Sequence, residues 1–91
     1  MANYLKNKVI IITGAASGFG EILSRKAASM GAKVVGADVD EKGLKKLVTT
    51  IRKSGGEILG IKTDVRDKSQ MRALADKTIE QFEAIDILIN N

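Results

Sequence analysis

Four consecutive β-branched residues, Val9 to Ile12, run without a polar interruption into the turn Thr13-Gly14-Ala15-Ala16-Ser17-Gly18-Phe19-Gly20. A strand that offers neither face to water must be covered on both sides, which is the condition of a central strand in a parallel sheet. The spacing that follows predicts a helix from Glu21 to Met30, with Ile22, Leu23, Ala27 and Met30 on its inner face and Gly31 as its stop. Val34 to Asp38 reads as a second strand. Asp40 is placed to cap a helix whose Leu44, Leu47, Val48 and Ile51 fall at i, i+3, i+4 and i+7. Ser54-Gly55-Gly56 breaks that helix, and Ile58, Leu59 and Ile61 predict a third strand ending near Thr63-Asp64-Val65. Asp67 with Gln70 has capping-box spacing and opens a helix striped by Met71, Leu74, Ala75, Thr78, Ile79 and Phe82. Asp86 then leads into a fourth strand, Ile87 to Asn90. The order β-α-β-α-β-α-β implies an α/β doubly wound parallel sheet, with right-handed crossovers and strand order 3-2-1-4.

At 91 residues the chain has room for one small domain, and residues 1–91 read as a single continuous unit. With no cysteine and no histidine, it lacks the usual zinc and copper ligands and any thiol nucleophile, so no metal site is expected. No apolar run approaches the length of a membrane span, and no secretory leader pattern opens the chain, so a cytoplasmic protein without a membrane partner is expected. Fifteen basic against eleven acidic side chains give +4. The cluster Lys42, Lys45, Lys46, Arg52 and Lys53 lies on one helix opposite its leucine stripe. It reads as a solvated face, and no nucleic-acid partner is expected because aromatic residues for base stacking are missing.

The glycine turn is where chemistry begins. A dinucleotide pyrophosphate must approach backbone amides closely, and a helix amino terminus offers unpaired N–H groups with about half a positive charge. The spacing is not Gly-x-Gly-x-x-Gly, because Leu23 stands where the third glycine belongs. Nor is it a nucleoside-triphosphate loop, which would need Gly-Lys-Ser/Thr. What stands here is Thr-Gly-x-x-x-Gly-x-Gly. Asp38 follows at the end of the second strand, where a carboxylate can accept from ribose hydroxyls.

With these residues the chain resembles the amino-terminal half of a short-chain dehydrogenase/reductase. The resemblance implies a Rossmann-type cofactor half-domain, incomplete relative to the full family fold, binding NAD through Gly14, Ser17, Gly18, Phe19 and Gly20. It also implies that Asp38 reads the ribose and selects NAD over NADP. Ser17 and Val39 lack the basic side chains that NADP-preferring members use. Asp64 and Val65 match the pair that meets adenine through the carboxylate and the backbone, although an aspartate after a strand is also ordinary loop chemistry. Asn90 and Asn91 match the start of Asn-Asn-Ala-Gly, a pair the family uses partly to tie strands together.

The family's catalytic serine and Tyr-x-x-x-Lys cannot be assigned to any residue here. Tyr4 and Lys8 have the right spacing but precede the first strand, so Tyr4 is expected to pack and not to catalyse. The expected parent activity is hydride transfer between NAD(H) and an alcohol or ketone, with this chain inactive alone. The alternative is a small nucleotide-binding or NAD-sensing module without catalysis. A homo-oligomer is expected in either case, because the outer edge of the fourth strand lacks a neighbour.

Overall fold

A computed structural model describes residues 4–91. Its elements are β1 (Val9–Thr13), α1 (Gly18–Ser29), β2 (Lys33–Asp38), α2 (Glu41–Lys53), β3 (Glu57–Lys62), α3 (Lys68–Phe82) and β4 (Ile87–Ile89). The four strands form one parallel sheet in the order β3-β2-β1-β4. This is the order the sequence predicts.

The pleat of β1 explains why its run is wholly apolar. Successive side chains point to opposite faces, so Ile10 and Ile12 enter one core with Ala27, Ala28, Leu44, Leu47 and Ile51 of α1 and α2. Val9 and Ile11 enter the other, with Leu74 of α3. All five residues of β1 are buried, whereas the three of β4 are not. β1 therefore sits at the centre of the sheet and β4 forms one edge.

Asp86 fixes the entry of that edge strand. Its Oδ2 accepts from the Val9 N–H at 2.8 Å, and its own N–H donates to the Val9 carbonyl at 2.9 Å. This reciprocal pair sets the register Ile10↔Ile87, Ile11↔Leu88, Ile12↔Ile89.

Several expectations are corrected. α1 begins at Gly18 and not at Glu21, so Gly18, Phe19 and Gly20 form its first turn. Ile22 is 62% exposed and Met30 36%; the buried side of α1 is Gly20, Ser24, Ala27 and Ala28. Small residues face the sheet because the helix lies close to it, which turns the bulkier Ile22 outward. On α3, Leu74 and Thr78 are buried, and Ile79 is exposed. Tyr4 does not pack, being 82% exposed. β3 ends at Lys62, before Thr63, and β4 ends at Ile89, before Asn90.

Capping follows the sequence only in part. Asp40 accepts from the Gly43 N–H at 3.0 Å, as expected. Asp67 accepts from the Ser69 and Gln70 N–H groups. The return half of the capping box is absent, because Gln70 Oε1 takes the Asp64 N–H at 2.8 Å and not that of Asp67. The Ser69 hydroxyl and these amides hold the Asp67 carboxyl below its ordinary range. The side chains of Lys42, Lys45, Lys46, Arg52 and Lys53 belong to exposed residues, and Arg52 also donates to the Ile58 carbonyl.

Candidate functional site

The carboxyl ends of the parallel strands carry most of the residues singled out by sequence. In an open α/β sheet this is where ligands bind, in the crevice that forms as chain connections diverge to opposite faces. β1, whose crossover goes to one face, and β4 are neighbours here; Gly14 follows the first directly, and Asn90 and Asn91 follow the second.

The turn after β1 is shaped by two glycines. Gly14 adopts φ +63°, a left-handed conformation that glycine tolerates without steric cost. Gly20 lies against it so tightly that a Cβ on Gly20 would collide with the Gly14 carbonyl oxygen. The start of α1 is thereby drawn onto the end of β1. Ser17 is the N-cap residue of α1, yet its hydroxyl makes no capping hydrogen bond. The first-turn amides of Gly18, Phe19 and Gly20 are left without a side-chain acceptor, beside an exposed approach. A Cβ at Gly18 would meet no packed neighbour.

Asp38, at the end of β2, is tied into the same turn. Oδ2 accepts from the Ala16 N–H and Oδ1 from the Asp40 N–H, each at 2.9 Å. An ionised carboxylate offers about four acceptor positions, so one remains on each oxygen. Asp38 thus braces the glycine turn and still has two acceptors to give.

Thr13 ties the other side. Its buried hydroxyl donates to Asn90 Oδ1 at 2.9 Å and accepts from the Asn91 N–H at 3.0 Å, while Asn91 Nδ2 reaches the Gly14 carbonyl at 3.4 Å. Thr13 was not among the candidate site residues. A polar residue closing a fully apolar strand is the signal that could have found it, since its buried hydroxyl needs partners.

A groove of about 260 Å³ collects Gly14, Asp38, Asp64, Val65 and Asn91 with Val39 and Arg66. Val39 and Val65 are exposed and supply its apolar surface. Ser17, Gly18, Phe19 and Gly20 do not line it, nor does Asn90. Arg66 was missed by sequence reasoning. It donates through N, Nε and Nη2 to the Asp64 carboxylate, at 2.9, 3.1 and 3.0 Å. The Arg66 side chain, followed by its backbone N–H, holds the Asp64 carboxyl below the usual range, and Asp64 raises Arg66 in turn.

A larger hollow of about 640 Å³ lies between α1 and α2, lined by Arg25, Lys26, Ile51 and Gly55. It stands by the last turns of both helices, whose negative dipole ends oppose an anion. The groove at the strand ends holds the directional acceptors and is the better site.

The family model described as short chain dehydrogenase matches residues 8–91. A CLA biosynthesis dehydrogenase/reductase of Lactiplantibacillus plantarum is 41% identical over 86 residues, covering 94% of this chain and 30% of that protein. Among solved structures, a short chain dehydrogenase/reductase from Burkholderia phymatum in complex with NAD superposes with a TM-score of 0.91 at 45% identity, covering 97% of this chain and 31% of that one. A hydroxysteroid dehydrogenase from Escherichia coli superposes at 0.94 with 34% identity, covering 98% and 38%. The chain thus spans about a third of the length of these relatives. Its glycine turn, its strand order and a family match running from Lys8 to Asn91 agree, and the chain belongs to the short-chain dehydrogenase family.

Proposed function

We infer that the chain is the adenosine- and pyrophosphate-binding part of an NAD-dependent oxidoreductase acting on CH–OH groups, and that these 91 residues bind the cofactor without turning over substrate. The observation that carries this reading is the Asp38 carboxylate. Each oxygen holds one backbone amide and keeps one acceptor position, which suits the two vicinal hydroxyls of an adenosine ribose. Gly14, Ser17, Gly18, Phe19 and Gly20 shape the place where the pyrophosphate meets the α1 amides. Asp64 and Val65 border the base. Asn90 and Asn91 hold β4 to β1 through Thr13, so their part is to keep the strand ends aligned.

When bound, the nicotinamide supplies or takes the hydride. The residues described here bind and orient, and none is placed to move a substrate proton. Tyr4 is exposed and precedes β1, whereas the groove lies beyond the carboxyl end of that strand.

NAD is expected to bind more tightly than NADP. A 2′-phosphate would stand against the Asp38 charge, and the basic residue of the groove, Arg66, is already paired with Asp64. At surface-like dielectric two such charges near 4 Å cost about 1–4 kcal/mol, so the preference should be about tenfold or more. Calorimetry of the chain with NAD, NADP and ADP-ribose checks this, with a secondary-alcohol assay alongside. Equal NAD and NADP affinities, or alcohol turnover above a buffer control, would contradict the reading.

A homo-oligomer is proposed from the edge of the sheet. β4 has β1 on one side and no strand on the other among the described residues, and its Leu88 is 54% exposed. Such an edge is a template for pairing with another chain. Sedimentation at micromolar concentration is expected to show a dimer or larger species, and a folded monomer would refute that expectation.

A further inference from the structure

The contacts of Asp64 are unlike those of Asp38, and the difference assigns a role to Arg66. Asp64 Oδ1 accepts from both the Arg66 N–H and Nε–H, and Oδ2 accepts from Nη2. Of about four acceptor positions three are taken by one residue, leaving a single one on Oδ2. The turn beneath is held at both ends. The Asp64 N–H is bound by Gln70, the Asp64 carbonyl accepts from the Asp67 N–H at 3.0 Å, and Asp67 caps α3. The planar fork then fixes both side-chain torsions of Asp64, which a flexible, singly bonded lysine would not do. The cost in burial is nil, because the Arg66 side chain is 87% exposed.

Val39, Val65 and the fixed Asp64 carboxylate border the same groove. A flat base laid on the two valines meets one acceptor in one direction. A 6-amino purine brings an N–H donor to it, whereas a 6-oxo purine brings a second acceptor, and two facing lone pairs repel. Without Arg66, Asp64 could rotate, admit water between itself and the base, and accommodate either edge. We propose that Arg66 is a positioning residue that turns Asp64 into a one-acceptor reader, making the groove selective for 6-amino over 6-oxo purine dinucleotides. This rests on the cofactor reading given above.

The test compares NAD with nicotinamide hypoxanthine dinucleotide, which carries a 6-oxo group and an N1–H where NAD carries the 6-amino group and a bare N1, by calorimetry on the 91-residue chain. The wild type is expected to prefer NAD by about tenfold, the worth of one hydrogen bond to a charged acceptor. Arg66→Ala is expected to bring that ratio to within about threefold of unity, with the far-UV circular dichroism spectrum unchanged. Arg66→Lys keeps the charge without the fork and is expected to behave like Arg66→Ala. A merely structural Arg66 would weaken both ligands alike, and an unchanged ratio in Arg66→Ala overturns the proposal. Full selectivity in Arg66→Lys overturns it too, since charge alone would then suffice. A wild type that binds both dinucleotides equally removes the base reader but leaves the cofactor reading standing. A folded wild type that binds neither removes both.

Discussion

Gly20→Ala should lower the stability of the chain by about 3 kcal/mol or more, the upper range for forcing extra volume into a packed site. The added methyl would collide with the Gly14 carbonyl oxygen and press on its carbon and on Asn91 Nδ2. A flexible side chain could swing aside. Backbone cannot, because Gly14 is held between β1 and the Ala15 N–H to Ala37 carbonyl bond that follows it at 3.1 Å. Relief therefore has to come from lifting the first turn of α1 off the sheet, which uncovers the core built on Ala27 and Ala28. For a domain of this size the loss corresponds to a fall in Tm of about 12–24 °C, and small domains rarely have more than about 5–15 kcal/mol in all. Gly18→Ala is the control. Its φ of +56° strains any other residue, yet a Cβ there meets nothing, so the cost should stay near 1–2 kcal/mol. Thermal or urea unfolding of the two variants checks the order, and equal losses would show that the glycine contact does not hold the turn.

The same contrast explains what the sequence could and could not reveal. The strand order was legible because β1 has no polar side, which only a central parallel strand permits, and because three crossovers of helical length separate the strands. The ends of α1 were not. Glycines at 18 and 20 read locally as turn, yet Gly18 opens the helix from a left-handed φ of +56° and Gly20 fits its first turn against Gly14. Ile22 was misplaced for a related reason. Periodicity gives the apolar stripe of a helix but not the distance of its axis from the sheet, and at this short distance small residues take the inner face. At the groove, Gly14 was marked by the glycine turn after β1 and Asp38 by the acid that ends β2, whereas Asp64, Val65 and Asn91 were singled out by the resemblance to the family. Arg66 could not, because an arginine two residues beyond an aspartate is ordinary in sequence. Its fork depends on the turn that Asp67 and Gln70 stabilise.

That turn leaves Asp64 with one acceptor, whereas Asp38 keeps two, and the second major expectation concerns the residue with more to lose. Asp38→Ala should weaken NAD binding by about 1.5–3 kcal/mol, or about 10- to 150-fold, the usual worth of hydrogen bonds to a charged group. It should also cost stability, because the Ala16 and Asp40 N–H groups lose their acceptors; Ala16 lies inside the glycine turn and is half-buried. That second loss is about 1–3 kcal/mol. Binding and folding can be separated with Asp38→Asn, whose amide oxygen can keep one backbone bond while the charge is gone. This variant should bind NAD more weakly than the wild type, and its preference for NAD over NADP should shrink by about tenfold, since the repulsion of the 2′-phosphate is removed. Calorimetry with both dinucleotides, on variants shown by circular dichroism to be folded, decides the matter. Wild-type NAD affinity in folded Asp38→Ala would mean that Asp38 only braces the turn. An undiminished NAD preference in Asp38→Asn would mean that shape, and not the Asp38 charge, excludes the phosphate.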